Sequence, residues 1–276
     1  MNFNAELYSP SFIPLESVKI FLDETLSKLY WNKSDEEEVV LDVGCGPGGT
    51  TSSLVLPLFP KLKKVFAIDI MQEMIDLARR KNSHPLIEYN VASIEDWSTV
   101  KHFEGKITKT VSIHCFQWLK NQLKAFQNIF RLLKTGGEAV IVLVLQSSFF
   151  ATVLEMQNNP KWIQYFQDID NCVADSHLNN HKTPYYKKML EDIGFEILYS
   201  KEEVKIDVFA STEDYKRFFS SICVLVSYIP DAQKEEFKND FIQALLKKNG
   251  LQNIGLPFHT GNMLELIIRK KINNIP

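Results

Sequence analysis

Glycine is scarce in this chain, but one hexapeptide with an acid on either side concentrates it. Only 11 of the 276 residues are glycine, and four of them lie in the hexapeptide GCGPGG at 44–49. Because glycine destabilises regular structure wherever its freedom is not needed, this cluster predicts a loop with unusual backbone angles or a ligand close by. Asp42 stands just before the loop and Asp69 stands 20 residues after it. Carboxylates accept hydrogen bonds from hydroxyl and ammonium groups, so the pattern indicates a site for a polar ligand.

Two ligands fit this pattern, and a ligand-free turn is a third possibility. Read as G-x-G-x-x-G, the loop is the dinucleotide fingerprint, with Asp69 as the acid that holds a ribose. A dinucleotide brings a pyrophosphate, which a helix N-terminus binds as an anion. Read as Asp42-x-Gly44-x-Gly46-x-Gly48, it is the loop that binds S-adenosylmethionine, whose ammonium group an acid at Asp42 can hold.

The loop lies between a predicted strand and a predicted helix. The run EVVLDVG (38–44) is apolar and stopped by glycine, which favours a buried parallel strand. A helix over 49–57 and a strand over 64–69 complete a β-α-β unit, and 71–81 has the apolar spacing of a helix. Further strands are predicted at 86–92, 108–114, 138–145, 195–206 and 263–271, and helical segments at 15–31, 123–133, 148–194 and 212–248.

Strands that alternate with helices indicate an α/β fold with an open, mostly parallel sheet. We expect one domain over 1–276, made of a sheet core and a helical cap. The core is predicted at 36–146, 195–206 and 257–272, and the cap at 1–31, 147–194 and 211–250.

At this point the chain resembles the class I S-adenosylmethionine-dependent methyltransferases. Beyond the loop, the similar segments are DIMQEMIDLARRK (69–81) and LLKTGGEAVIVL (132–143), in which Gly136-Gly137 are expected to end a helix and admit the fifth strand. The resemblance implies a Rossmann-like sheet of seven strands, the last antiparallel, under a helical cap. It implies S-adenosylmethionine as cofactor, with Asp69 on the ribose hydroxyls and Ser93, where many relatives carry Asp, beside the adenine. The implied cofactor residues are Asp42, Gly44, Cys45, Gly46, Gly48, Asp69, Ile70, Ala92, Ser93 and Ile94.

The segment SIHCFQWLKN (112–121) follows the predicted fourth strand and offers polar side chains for a second ligand. Ligands of open α/β sheets bind beyond the carboxyl ends of the strands, so His114, Gln117 and Trp118 should face the transferred methyl group. The Gln117 amide and the Trp118 indole N–H are neutral donors that can orient a carboxylate. For His114, a packed or surface position is an equally good interpretation.

The whole chain is similar to the insect juvenile hormone acid O-methyltransferase family. The similar stretches are NAELY, SIHCFQWL, AFQNIFRLL, NNPKWIQYFQDID and MLEDIGFEI. That family methylates the carboxylate of juvenile hormone acids and farnesoic acid, which implies that Trp118 helps to hold the carboxylate. The family carries a glutamine in its N-terminal segment where this chain has Leu15, with Glu16 beside it.

The cap sequence is rich in large apolar side chains, which predicts either core packing or a pocket for an isoprenoid tail. Three of them, Trp162, Tyr165 and Phe166, have the spacing of one helical face. The others are Phe149, Phe150, Phe218, Phe219, Ile222 and Val226. The resemblance implies a small hydrophobic carboxylic acid as partner, which is already ionised near neutral pH and needs no general base. Methylation of another small acid, polyol or amine stays open, as does a non-catalytic protein that binds S-adenosylmethionine or a lipid.

Composition excludes several other classes. The net charge of −3 and the absence of a basic stripe or an Asn-Pro-Pro-aromatic motif argue against a nucleic-acid partner. The longest apolar run, AVIVLVL at 139–145, is too short to span a membrane. The N-terminus lacks the pattern of a signal peptide, and the four cysteines are far apart, so reduced thiols and a cytoplasmic location are expected. His177 and His181 have no acid partner in the sequence, and no metal site is predicted.

Overall fold

The computed structural model describes Tyr8 and residues 16–29, 31, 36–167, 172–249 and 255–271, so Leu15 lies outside the described residues. Within them, one sheet has the strand order β3-β2-β1-β4-β5-β7-β6. β7 is antiparallel to both of its neighbours, and the other adjacent strands are parallel. The predicted fold class is confirmed. The strands are β1 (Glu38–Val43), β2 (Leu62–Asp69), β3 (Ile87–Val91), β4 (Ile107–Ile113), β5 (Leu133–Ser147), β6 (Phe195–Val208) and β7 (Phe258–Lys270).

Helices cover the sheet and extend beyond it. α1 spans 16–28 and α2 spans 49–58; each contains a π-helical turn, at Phe21–Thr25 and Thr51–Val55 respectively. The remaining described helices are α3 (Gln72–Lys81), α4 (Trp97–Val100), α5 (Gln122–Leu132), α6 (Ser148–Gln157), α7 (Asp175–Leu178), α8 (Thr183–Ile193), α9 (Thr212–Ile222) and α10 (Lys234–Asn249).

The strand order creates a crevice between β1 and β4. From β1 the chain proceeds outward to β2 and β3, whereas β4 lies on the opposite side of β1. Val40 to Asp42 of β1 pair in parallel with Lys109 to Val111 of β4, so the carboxyl ends of these strands are adjacent. In open α/β sheets ligands bind at such a switch point. The glycine loop and the segment after β4 therefore meet at the same place.

The Gly136-Gly137 pair lies inside β5 and not at its entrance. α5 ends at Leu132 and β5 begins at Leu133, so the expectation that the pair separates helix from strand is off by a few residues. A Cβ on Gly137 would lie 2.9 Å from the carbonyl oxygen of Lys134 and 3.1 Å from those of Ile107 and Thr108. The close approach of β4 explains why a side chain is excluded here.

The cap has its own apolar cluster, in which one predicted helix is wrong. Trp162, Tyr165 and Phe166 lie in and around a 3₁₀ turn at Ile163–Tyr165, because their backbone N–H groups bond three residues back. Trp162 and Phe166 nevertheless both pack against Phe237 of α10, with ring centroids 5.3 and 5.8 Å away. Tertiary packing on α10 brings these side chains together without a shared helical face.

Three further findings concern the described residues only. None of their helices is long and apolar enough to cross a membrane. Their four cysteines are free. They contain no group of three or more His, Cys, Asp or Glu side chains that could hold a metal ion.

Candidate active site

A cavity of about 230 Å³ opens at the carboxyl ends of β1 to β4 and continues under the cap. With the exception of Gly48, every residue predicted to bind the cofactor or the carboxylate lines it, whereas four of the candidates for the apolar pocket, Trp162, Tyr165, Phe166 and Val226, do not. Those lining residues are Asp42, Gly44, Cys45, Gly46, Asp69, Ile70, Ala92, Ser93, Ile94, His114, Gln117 and Trp118.

Asp69 connects the glycine loop to the start of α3. Its Oδ2 accepts the backbone N–H of Gly46 at 3.0 Å, and its Oδ1 accepts that of Met71 at 2.9 Å. Burial raises the pKa of Asp69, and these backbone hydrogen bonds lower it again in part. Each carboxylate oxygen keeps a second lone pair, so the group can still accept bonds from two neighbouring hydroxyls.

Asp42 is a buried acid at the base of the loop. It is only 4 % exposed, and its Oδ2 accepts the Thr51 hydroxyl at 2.6 Å. Burial raises the pKa of Asp42 to about 7; the Thr51 bond acts against this rise, and the Asp69 charge adds to it. No basic side chain among the described residues contributes to the pKa of Asp42 or of Asp69. A buried carboxylate without a counter-charge fits an ammonium-bearing ligand.

Two glycines of the loop are required by the close approach of neighbouring side chains. Gly44 has φ +76°, and a Cβ there would overlap Sγ of Cys115. Gly48 has φ +80°, and a Cβ there would lie 2.6 Å from the Tyr89 hydroxyl. Gly48 therefore lets Tyr89 pack beneath the loop, which explains why it does not line the cavity.

The side of the cavity beyond β2 and β3 combines an apolar face with a hydroxyl. Ile70 is 62 % exposed beside Asp69, and Ala92 follows with its N–H bonded to the Asp69 carbonyl at 3.0 Å. Ser93 Oγ accepts the N–H of Glu95 at 3.3 Å, which leaves the hydroxyl proton available to a ligand. An apolar surface beside a polar group suits a flat heterocycle such as adenine.

Gln117 holds His114 in place. His114 has the left-handed φ of +55°, and its carbonyl accepts Nε2 of Gln117 at 2.7 Å. One N–H of the Gln117 amide, which the sequence predicts as a donor to the ligand, is therefore used within the protein. His114 Nε2 and Gln117 Oε1 are both buried without a hydrogen-bond partner among the described residues. Burial lowers the pKa of His114, and the charge of Asp207 acts against this decrease.

Trp118 begins the apolar arm of the cavity. Its ring lies edge-on to Phe150 at 5.5 Å and to Phe149 at 6.3 Å between centroids. Phe149 in turn contacts Phe219 at 5.8 Å. The arm is completed by Phe218, Ile222 and Val144. The cavity thus joins a polar glycine loop to an aromatic arm.

Comparison with known proteins shows the family to which the chain belongs. The family described as "Methyltransferase domain" matches residues 18–200, which is more than half of the chain. The chain belongs to this methyltransferase family.

Three proteins to which this chain is similar are also named as methyltransferases. The juvenile hormone acid O-methyltransferase of Drosophila melanogaster is 26 % identical over 235 residues, 84 % of this chain and 78 % of that protein. The enzyme of the same name from Bombyx mori is 25 % identical over 246 residues, 88 % of this chain and 86 % of that protein. The crystal structure of a putative methyltransferase from Bacillus halodurans has a TM-score of 0.56 at 19 % identity, and covers 90 % of this chain and 99 % of that one.

This methyltransferase uses S-adenosylmethionine, and the residues at the loop fit it. Asp42 would hold the ammonium group, Asp69 the ribose, and Ile70, Ala92 and Ser93 the adenine. The bound cofactor supplies an electrophilic methyl group on a cationic sulfur. His114 and Trp118 line the same cavity from the segment after β4.

The methyltransferase also has cavity residues that sequence reasoning missed. Tyr8, within the NAELY stretch, lies 3.8 Å from the position of a Cβ on Gly46. Lys205 and Asp207 reach the cavity from β6, and His259 reaches it from β7. Lys205 is already paired, since its Nζ lies 2.6 Å from Glu203 and 3.0 Å from Glu265. Alternation along β6 would have placed 205 and 207 on one face, but nothing local shows that this face meets the cavity.

Proposed function

We propose that this methyltransferase transfers the methyl group of S-adenosylmethionine to the carboxylate of a hydrophobic isoprenoid acid, such as a juvenile hormone acid or farnesoic acid, and forms the methyl ester. The observation that carries the proposal is the single cavity that joins the glycine loop to an aromatic arm lined by Trp118, Phe149, Phe150 and Phe219. A polar end beside the methyl donor and an apolar arm beyond it match an acid with a long apolar tail.

The comparisons support the same class of acceptor. Two relatives that span most of this chain are named juvenile hormone acid O-methyltransferases. A third, from Paenibacillus, is named malonyl-[acyl-carrier protein] O-methyltransferase and is 25 % identical over 67 % of this chain. The first two names support an isoprenoid acid, and all three support oxygen as the methylated atom.

The main contribution of the protein to this reaction is to position the two reacting groups. An ionised carboxylate oxygen forms a bond to the methyl carbon with its own electron pair, while the electrons of the broken carbon–sulfur bond stay on sulfur. Alignment of the two atoms supplies most of the catalysis, because effective molarities are worth up to about 7–11 kcal/mol. The side chains of His114, whose backbone carbonyl accepts the Gln117 amide N–H, and of Trp118 form the wall against which the carboxyl group is oriented.

The test is product analysis with a panel of acids. The purified protein is incubated with methyl-labelled S-adenosylmethionine and farnesoic acid, matched fatty and dicarboxylic acids, farnesol and farnesylamine. We expect the isoprenoid acid to be labelled in preference to the other substrates, and base hydrolysis to release the methyl label from its product. Base-stable label from the alcohol or amine would identify ether or N-methylation instead. Cofactor binding with no label from any substrate would support a non-catalytic binding protein.

A further inference from the structure

His259 is fixed in one tautomer by a chain of hydrogen bonds that begins at Asn249. Asn249 Nδ2 donates to the Leu245 carbonyl at 3.2 Å, and its Oδ1 accepts the backbone N–H of Thr260 at 3.3 Å. A carbonyl can only accept and an N–H can only donate, so these two bonds settle which atom of the amide is oxygen.

Ser148 transmits this orientation to the imidazole. Its Oγ lies 2.7 Å from Asn249 Oδ1 and 3.2 Å from His259 Nδ1. The single hydroxyl proton of Ser148 goes to the amide oxygen, which cannot donate. Ser148 Oγ therefore accepts a hydrogen bond from Nδ1–H of His259, and Nε2 of the neutral ring carries a lone pair.

His259 and His114 line the same cavity from β7 and from the end of β4. Removal from water, with a smaller contribution from the charge of His114, lowers the pKa of His259 to about 3. The His259 ring is thus neutral in the free protein near pH 7. Beyond them the Phe219 ring, 4.7 Å from the His259 ring, begins the aromatic arm.

A carboxylate that enters this end of the cavity lacks a free protein cation. Among the described lining residues, Lys205 is the one lysine or arginine, and it is paired with Glu203 and Glu265. The same lining carries four carboxylates, at Asp42, Asp69, Glu95 and Asp207. A desolvated anion is costly without a counter-charge, and it raises the proton affinity of an adjacent imidazole.

We propose that His114 and His259 form the site for the acid head group, and that acid binding takes up one proton, held between the carboxyl group and His259 Nε2. The inference rests on the proposed methylation of an acid. Ser148 Oγ accepts from Nδ1–H whether His259 is neutral or protonated, so the proton is accepted without rearrangement of the chain of bonds. The other ionisable groups of the cavity lining are Asp207 and Lys205 on β6, Asp69 at the end of β2, Asp42 on β1, Glu95, Cys45, Cys115 and Tyr8. Tyr215 on α9 accepts a hydrogen bond from Asn249 in the chain of bonds to His259.

The test counts protons by calorimetry. The protein saturated with S-adenosylhomocysteine, whose sulfur is uncharged, is titrated with farnesoic acid at pH 7.5 in buffers of different ionisation enthalpy. We expect uptake of about one proton per acid bound, and none for methyl farnesoate, which has the same tail without the charge. Acid that binds without proton uptake overturns the inference.

A variant locates the proton. His259→Gln keeps an amide that can donate to Ser148 but removes the basic nitrogen, and the exposed His102→Gln is the matched control. We expect proton uptake to fall at least twofold in His259→Gln and to stay unchanged in His102→Gln. In wild type KM for the acid should rise between pH 7 and 9, and in His259→Gln this rise should be smaller, while kcat changes less. Unchanged proton uptake in a folded His259→Gln protein contradicts the assignment.

The two proposals fail in different ways. If an acid is esterified but binds without proton uptake, the inference about His259 is wrong and the proposed function stands. If no acid binds or is esterified, the proposed function is wrong, and the inference falls with it.

Discussion

Asp69 at the end of β2 accepts the backbone N–H of Gly46 at 3.0 Å, and so ties the glycine loop to the neighbouring strand. The acid expected to bind the ribose is therefore also a support of the loop. Its second oxygen holds Met71 at the start of α3 in the same way. We therefore expect cofactor affinity and loop geometry to depend on one carboxylate.

Replacement of Asp69 by Ala should weaken S-adenosylmethionine binding. Loss of hydrogen bonds to a charged group costs roughly 1.5–3 kcal/mol, which is about 10- to 150-fold in Kd. Calorimetric titration measures it. Asp76→Ala is the control, because Asp76 is an exposed acid on α3 and its loss changes the net charge equally. Equal affinity of both variants and wild type would reject the ribose assignment.

Asp42 should make the free protein less stable as pH rises. Its pKa is about 7 in the folded state and about 4 when unfolded, so the folded protein retains a proton that the unfolded chain loses in this window. The stabilisation is complete below pH 4 and is lost as pH rises through 7, by roughly 2–4 kcal/mol. Denaturant unfolding of wild type and Asp42→Asn between pH 4 and 8 measures it; the variant should lose less stability. If the free energy of unfolding changes equally with pH in both proteins, Asp42 is already ionised in the folded state.

The same group should make cofactor binding tighter at higher pH. The ammonium group of S-adenosylmethionine pairs with ionised Asp42, which is a minority below pH 7. We expect Kd to fall about tenfold between pH 6 and 8, with release of a proton on binding. Asp42→Asn should bind weakly with little pH dependence. A wild-type Kd that does not change over this range contradicts the prediction.

Gly44→Ala should destabilise the fold more than Gly105→Ala. Both glycines have positive φ, but a Cβ on Gly44 overlaps Cys115, whereas one on Gly105 has no atom within 4 Å. Strain alone costs about 1–2 kcal/mol, and overpacking adds about 1–3 kcal/mol. Equilibrium unfolding compares the two. The added change Cys115→Gly should recover the overpacking part in Gly44→Ala; no recovery would place the cost elsewhere.

Gly261→Val should weaken binding of the acid without weakening binding of the cofactor. Gly261 lies on β7, and a Cβ there would make ordinary contacts at 3.6–3.9 Å with Met263, Gln146 and Ser147. A branched side chain is tolerated in a strand and projects into the acceptor side of the cavity. We expect KM for the acid to rise at least about tenfold, while the Kd of S-adenosylmethionine stays within about twofold, since 1.4 kcal/mol is a factor of ten. Loss of cofactor binding would show that the substitution disturbs the whole sheet.

The cofactor half of the site was predictable because its signals are local. The loop, Asp42 and Asp69 lie within 28 consecutive residues of one β-α-β unit, and parallel strands bring their carboxyl ends to one edge. Spacing along the chain therefore determines spacing in the fold. The predicted helical face of Trp162, Tyr165 and Phe166 failed for the opposite reason, because distant residues and not local spacing hold those rings. Trp162 and Phe166 pack on Phe237 of α10, and the Tyr165 hydroxyl donates to Gln233.

The sequence by itself determined the sheet, the cofactor loop and the family. Only the tertiary structure decided that His259 of β7 and His114, the residue after β4, line the same cavity although 144 intervening residues separate them. β7 runs antiparallel between β5 and β6, and this insertion carries Lys205, Asp207 and His259 to the carboxyl ends of the parallel strands. Such contacts depend on how strands are ordered across the sheet, and no local periodicity encodes that order.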